Sequence, residues 1–168
     1  LEKDGMIQMN LEEGVIKIVK RGFAKASTSP IYSLPIVGSA NCGPATIFAE
    51  QNIDQYLKVS SSLLPRNKSN LYALIADGDS MNKAEVETGK VIESGDFVLV
   101  DSEYKNYKKG DIVVAVIDGL ATIKRYREDK INKMIILEAD STNKYLPIFI
   151  HEGDDFQISG KVVGIIKS

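Results

Sequence analysis

The chain of 168 residues contains one cysteine, Cys42, and one histidine, His151. A lone cysteine excludes an internal disulfide, and with a single histidine it also excludes zinc sites built from several Cys and His ligands. A Ser/His/Asp triad could rest only on His151, which sits in FIHEGDD, where a strand end runs into a polar loop, and reads as a plain surface residue. No stretch approaches the roughly 18 apolar residues of a membrane span, and there is no secretory signal pattern. Phosphate-cradling glycine loops of the GxGxxG or GxxxxGK kind are also missing. These absences argue against a nucleotide enzyme and a membrane protein, and they set the cytoplasm as the expected location; no cofactor or metal is expected. Neither sign of charge dominates, with 21 basic residues against 23 acidic ones, so any nucleic-acid partner has to be argued locally.

What is present is β-forming sequence. A hydrophobic content of 43% is enough to bury a core, and the length suits one main domain with an appendage. Residues 1–21 carry two β-like runs, MIQM and GVIKIVK, around the polar turn NLEEG, which predicts a small hairpin. Residues 22–30, GFAKASTSP, read as a linker, leaving 31–168 as the main domain. There, β-branched runs follow one another: DFVLVD at 96–101, DIVVAVI at 111–117, LATIKRY at 120–126, MIILEA at 134–139, YLPIFI at 145–150 and FQISGKVVGII at 156–166. Asp118-Gly119 is the dipeptide favoured by a type I′ turn and predicts a hairpin over 111–126. Helical periodicity is scarce, its best short candidate beginning at Ser80 in SMNKAEVETG. The expected fold class is mostly β. The chain starts at Leu1 rather than at a methionine and is read as a piece of something longer.

Two residues stand out for chemistry. Ser80, in ADGDSM directly after the apolar run LYALIA, occupies an expected strand-to-helix junction, where free backbone N–H groups could hold an oxyanion. It is either a nucleophile or simply a helix N-cap. In LATIKRY the period of two puts Thr122, Lys124 and Tyr126 on one face and Ala121, Ile123 and Arg125 on the other. Lys124 is either a solvated strand lysine in a basic patch with Arg125 and Arg127, or a lysine made neutral by desolvation. To act as a general base near neutrality, its pKa must fall well below the ordinary lysine value of about 10.4.

GDSM, VLVD, KKGDIVVAVIDGLATIKRY, ADSTNKYLPI and FQISGKVVGII follow one another in an order that resembles LexA-type self-cleaving regulators of the peptidase S24 family, over about residues 34–166. The resemblance implies a LexA-like C-terminal protease domain of twisted antiparallel sheets. It also implies that Ser80 is the nucleophile, that Lys124 is its base, and that the backbone amides of Asp79 and Ser80 hold the oxyanion. The family cuts its own chain at an Ala-Gly or Cys-Gly bond upstream of the nucleophile, and Cys42-Gly43 in SANCGPA fits that place. Cys42 would then be a substrate residue with a small side chain, followed by a glycine that lets the backbone bend; the plain alternative is a small buried filler. The interval from Ser80 to Lys124 is longer than the family leads one to expect, the excess falling in NKAEVETGKVIESGD.

The resemblance extends to partners. Residues 1–21 resemble the wing of a winged helix-turn-helix, which implies operator binding as a homodimer through a DNA-binding domain upstream of Leu1, with residues 155–166 as the candidate dimer contact. In relatives a RecA filament on single-stranded DNA favours cleavage, and the same is expected here. A second reading is a UmuD-like polymerase accessory protein activated by the same self-cleavage. A signal peptidase with a related Ser/Lys dyad would need a membrane anchor.

Overall fold

The computed structural model describes residues 6–10, 15–19, 29–39 and 55–168. The chain divides into two compact units, Leu1–Pro30 and Ile31–Ser168. In the first, strands β1 (Met6–Asn10) and β2 (Val15–Val19) pair antiparallel, with Met6 opposite Val19 and Asn10 opposite Val15. The turn between them and most of the expected linker lie outside the described residues.

The second unit is built on strands β3 (Ile31–Ser39), β4 (Gln55–Ser60), β5 (Leu71–Ile75), β6 (Glu85–Glu87), β7 (Lys90–Val91), β8 (Phe97–Asp101), β9 (Ile112–Ile117), β10 (Leu120–Asp129), β11 (Met134–Glu138), β12 (Ile148–His151) and β13 (Phe156–Ile166). Nine of them form one sheet in the order β12-β11-β10-β9-β13-β8-β5-β3-β4, and β6 and β7 form a separate ribbon. The mostly β, largely antiparallel architecture forms as expected, with one parallel pair within it: β3 runs parallel to β5, with Ile36 opposite Ala73 and Ser39 opposite Ile75. Parallel pairing requires a long connection between the two strands, and β4 with the residues around it supplies one.

The continuous apolar runs are strands buried on both faces. In β9, Ile112 and Val114 point into a cluster with Val98, Val100, Met81 and Ile92, while Val113 and Ala115 point into a second cluster with Tyr126, Leu137 and Ile150. A third cluster joins Leu34, Val59, Leu71, Ala73 and Leu99 across β3, β4, β5 and β8. Between β9 and β10, Asp118 and Gly119 both take positive φ, 47° and 77°, as the predicted two-residue hairpin turn requires.

The helix expected from Ser80 does not form. Residues 80–83 are a turn in which Asn82 N donates to Asp79 O at 3.2 Å and Ala84 N to Met81 O at 2.8 Å. The Ser80 carbonyl, which an α-helix would pair with Ala84 N, accepts instead from Asp140 N at 3.0 Å, so a tertiary partner outcompetes local helical bonding. The only helical element among the described residues is the single 3₁₀ turn Ser61–Leu63. The long interval after Ser80 is not a loose loop: it holds the β6–β7 ribbon, and its Ala84, Val86 and Ile92 pack into the Val98 cluster.

Strand β13 lies at the middle of the sheet, so its in-sheet neighbours come from its own chain. Phe156–Lys161 pair with β9 and Lys161–Ile166 with β8, with register shifts on either side of the crossing. Gly160 marks the crossing, since a Cβ there would lie 2.5 Å from Asp101 O and 2.7 Å from Val100 Cγ1. Because one of those atoms is backbone, the contact cannot be relieved by a rotamer change. Gly160→Ala is therefore expected to lower unfolding stability by about 2 kcal/mol, read as a lower urea midpoint; an unchanged midpoint would mean that the crossing is softer than this packing implies.

Candidate active site

Strand β10 delivers the lysine. It pairs with β9 through Leu120–Arg125 and with β11 only from Arg125 onward, so its first half has one strand neighbour. Lys124, 9% exposed, extends its amine toward that half, where Nζ lies 2.9 Å from Ser80 Oγ, 3.0 Å from Thr122 Oγ1 and 3.0 Å from the Ile123 carbonyl oxygen. The structure thus brings together the two residues singled out from the sequence, which are 44 positions apart in the chain.

Burial alone pushes the Lys124 amine below the ordinary lysine range, because the ammonium form loses its water. No carboxylate among the described residues pairs with it. The three contacts also suit a neutral amine, which donates two N–H bonds, to Thr122 and Ile123, and turns its lone pair to the Ser80 hydroxyl proton. The alternative of a solvated lysine in a basic patch is corrected by the same geometry. Arg125 is committed to Asp140, with Nε and Nη2 at 2.8 and 2.7 Å from Oδ2, and Arg127 to Glu138 at 2.7 Å.

Ser80 is fixed by the loop that follows β11. Besides the Asp140 N to Ser80 O bond, Lys83 N donates to Asp140 O at 2.9 Å. Asn82 and Thr142 bond reciprocally, Nδ2 to Oγ1 at 2.9 Å and backbone N to Oδ1 at 2.8 Å. Asn143 and Tyr145 donate to the Asp79 carboxylate. Reading the residues had not drawn Thr142, Asn143 or Tyr145 into the site; the cue was the polar run DSTN, rich in side chains that bond backbone in turns. Of the two amides expected to face an oxyanion, that of Ser80 donates to no other described residue, whereas that of Asp79 is turned to its own carboxylate.

Beside Ser80 is a cleft of about 60 Å³ whose walls include Leu74, Ala76, Met81, Ile92, Val114 and Ala121. Asp77, Ser80 and Thr122 line it as well, so its surface is part polar. Cys42 and Gly43, the expected cleavage site, lie outside the described residues. His151 is exposed at the end of β12, its backbone N bonded to Asp154 Oδ2. No helix among the described residues is long and apolar enough to cross a membrane.

The profile of the peptidase S24-like family matches residues 35–163. The LexA repressor of Petrotoga mobilis is 33% identical over 172 residues, covering 99% of this chain and 75% of the relative. The LexA repressor of Carboxydothermus hydrogenoformans is 32% identical over 168 residues, covering 99% of this chain and 74% of the relative. That of Clostridium acetobutylicum is 34% identical over 169 residues, with the same coverage.

The lowered Lys124 pKa makes a prediction about stability. Between the depressed folded value and the unfolded value of about 10.4, the unfolded chain carries a proton that the folded chain lacks, so stability rises with pH. Across that window, wild type is expected to gain in urea midpoint relative to Lys124→Met as pH increases. A pH-independent difference between the two proteins would contradict a depressed lysine.

Proposed function

The chain belongs to the LexA-type, peptidase S24-like family, and from that premise we propose that it is a transcriptional repressor of the SOS or prophage kind, inactivated by cutting its own Cys42–Gly43 bond. The observation that carries this reading is the 2.9 Å contact between Ser80 Oγ and the buried amine of Lys124, which has no carboxylate partner among the described residues. Neutral Lys124 takes the Ser80 proton as the serine oxygen attacks the Cys42 carbonyl. The amides of Asp79 and Ser80 hold the oxyanion. Lys124 then protonates the departing Gly43 amine, and water activated by the same lysine releases the acyl group.

The topology supports delivery of the substrate. Parallel pairing sets Ser39 opposite Ile75, and Cys42 is three residues beyond the one while Ser80 is five beyond the other. The cleft beside Ser80 offers a Cys42 side chain an apolar wall of Leu74, Ala76 and Met81. Nucleophile and scissile bond share one chain, so proximity is built in.

On this reading the intact protein holds operator DNA as a cytoplasmic homodimer, and a RecA filament on single-stranded DNA stimulates cleavage. The repressor is favoured over a polymerase accessory protein because relatives named as LexA repressors align along 99% of the chain, including the hairpin unit that precedes the S24-like match.

The test is intact mass against time at pH about 7 and about 10, chosen to span deprotonation of the lysine. Wild type is expected to yield two fragments, one ending at Cys42 and one starting at Gly43, faster at the higher pH. Ser80→Ala and Lys124→Ala are expected to stay whole. Fragments that persist in Ser80→Ala would remove the serine from the reaction.

A further inference from the structure

Building on the Ser80/Lys124 reading, we propose that Asp79 is a positioning residue: its carboxylate, gripped by Tyr145 and Asn143, sets the Ser80 turn against Lys124. The turn is tied down on its far side by the Asn82–Thr142 pair and by the backbone bonds to Asp140. On its near side the chain arrives through Gly78, whose φ of +83° belongs to the left-handed region that glycine enters freely. Among the described residues, Gly78 itself is held by its amide on Ser94 Oγ at 3.2 Å. The backbone bonds to the Asp79 and Ser80 carbonyls leave the peptide between Gly78 and Asp79 to be fixed by a side chain.

Asp79 supplies the restraint. Both of its carboxylate oxygens are occupied, Oδ1 by the Tyr145 hydroxyl and Oδ2 by the Asn143 amide, from a loop 64 and 66 positions away. The carboxylate is the form being held: the two bonds keep Asp79 below the usual carboxylate range and push the Tyr145 hydroxyl up. No cation pairs with Asp79 among the described residues, so directional hydrogen bonds, rather than charge attraction, define its place. Solvent competes for exposed bonds of this kind, so their contribution to global stability is small. Their consequence falls on the adjacent residue, where a misplacement of about 1 Å can cost on the order of 10²-fold in rate.

The experiment compares wild type, Ser80→Ala, Tyr145→Phe, Asp79→Ala and Asp79→Asn in two assays across pH. One is self-cleavage. The other is phosphonylation by a small fluorophosphonate, in which Ser80 Oγ bonds to phosphorus, fluoride leaves and the serine proton passes to Lys124; this assay does not need the cleavage segment in the site. Tyr145→Phe and Asp79→Ala are expected to lower the high-pH plateau of both rates by about tenfold, with the pH at half-maximum and the melting temperature unchanged. Asp79→Asn, which keeps an acceptor for Tyr145, is expected to recover most of the rate.

The positioning role is overturned if Tyr145→Phe reacts like wild type, if the losses follow a falling melting temperature, or if both Asp79 variants shift the pH at half-maximum. The last outcome would mean that the Asp79 charge acts directly on Lys124. A wild type no more reactive than Ser80→Ala in both assays overturns the dyad reading and this inference together. A reactive wild type beside an unaffected Tyr145→Phe overturns the inference alone.

Discussion

The site depends on one unfavourable act, the removal of a lysine amine from water without giving it a carboxylate. Burying an ammonium group is costly, and the protein avoids the full penalty by shifting the group toward its neutral form. Lys124 keeps three polar contacts, with Ser80, Thr122 and Ile123, so neither protonation state leaves the nitrogen without partners. A carboxylate in place of any of these would favour the charged form. The two arginines that follow in β10 and its neighbourhood show the contrast, since Arg125 and Arg127 each meet a carboxylate. Within four positions of one strand, the fold separates cations that are paired from a lysine whose charged form is disfavoured by burial.

The remainder of the sheet serves that separation. Apolar clusters on both faces of β9 hold β10 in register, and the Asp118-Gly119 turn sets which residues of the two strands face each other. Ser80 is held differently, by hydrogen bonds from the Asp140–Tyr145 loop rather than by a helix. The geometry of that turn is set from a distant part of the chain. The lysine is thus positioned by packing and the serine by polar contacts.

That difference explains what could be read from the sequence. The strands were legible because β-branched runs bounded by turn residues carry their own signal: the runs at 111–117 and 120–126 became β9 and β10, and the predicted turn has the φ angles its residues favour. Ser80 and Lys124 stood out because each follows or interrupts an apolar run. The helix after Ser80 was misread because the competitor for the Ser80 carbonyl, Asp140, lies 60 residues away and leaves no local trace. The parallel pairing of β3 with β5 was equally hidden, since the choice of strand partner is non-local. Thr142, Asn143 and Tyr145 are legible in the sequence only as a polar loop, not as the support of the Ser80 turn.

An assembled dyad raises the question of what restrains it. In the described residues Ser80 and Lys124 are already within hydrogen-bond distance, so on the proposed reading an inducer need not build the dyad. What it can change is the fraction of time that the segment around Cys42 occupies the cleft beside Ser80, and the rate scales with that fraction. Each tenfold change in occupancy corresponds to about 1.4 kcal/mol, so a partner with a modest preference for the docked segment could move cleavage from slow to fast without touching a catalytic atom. Control of such a site therefore falls on docking of the substrate segment, while the chemistry is held constant by a lysine that the sheet keeps dry.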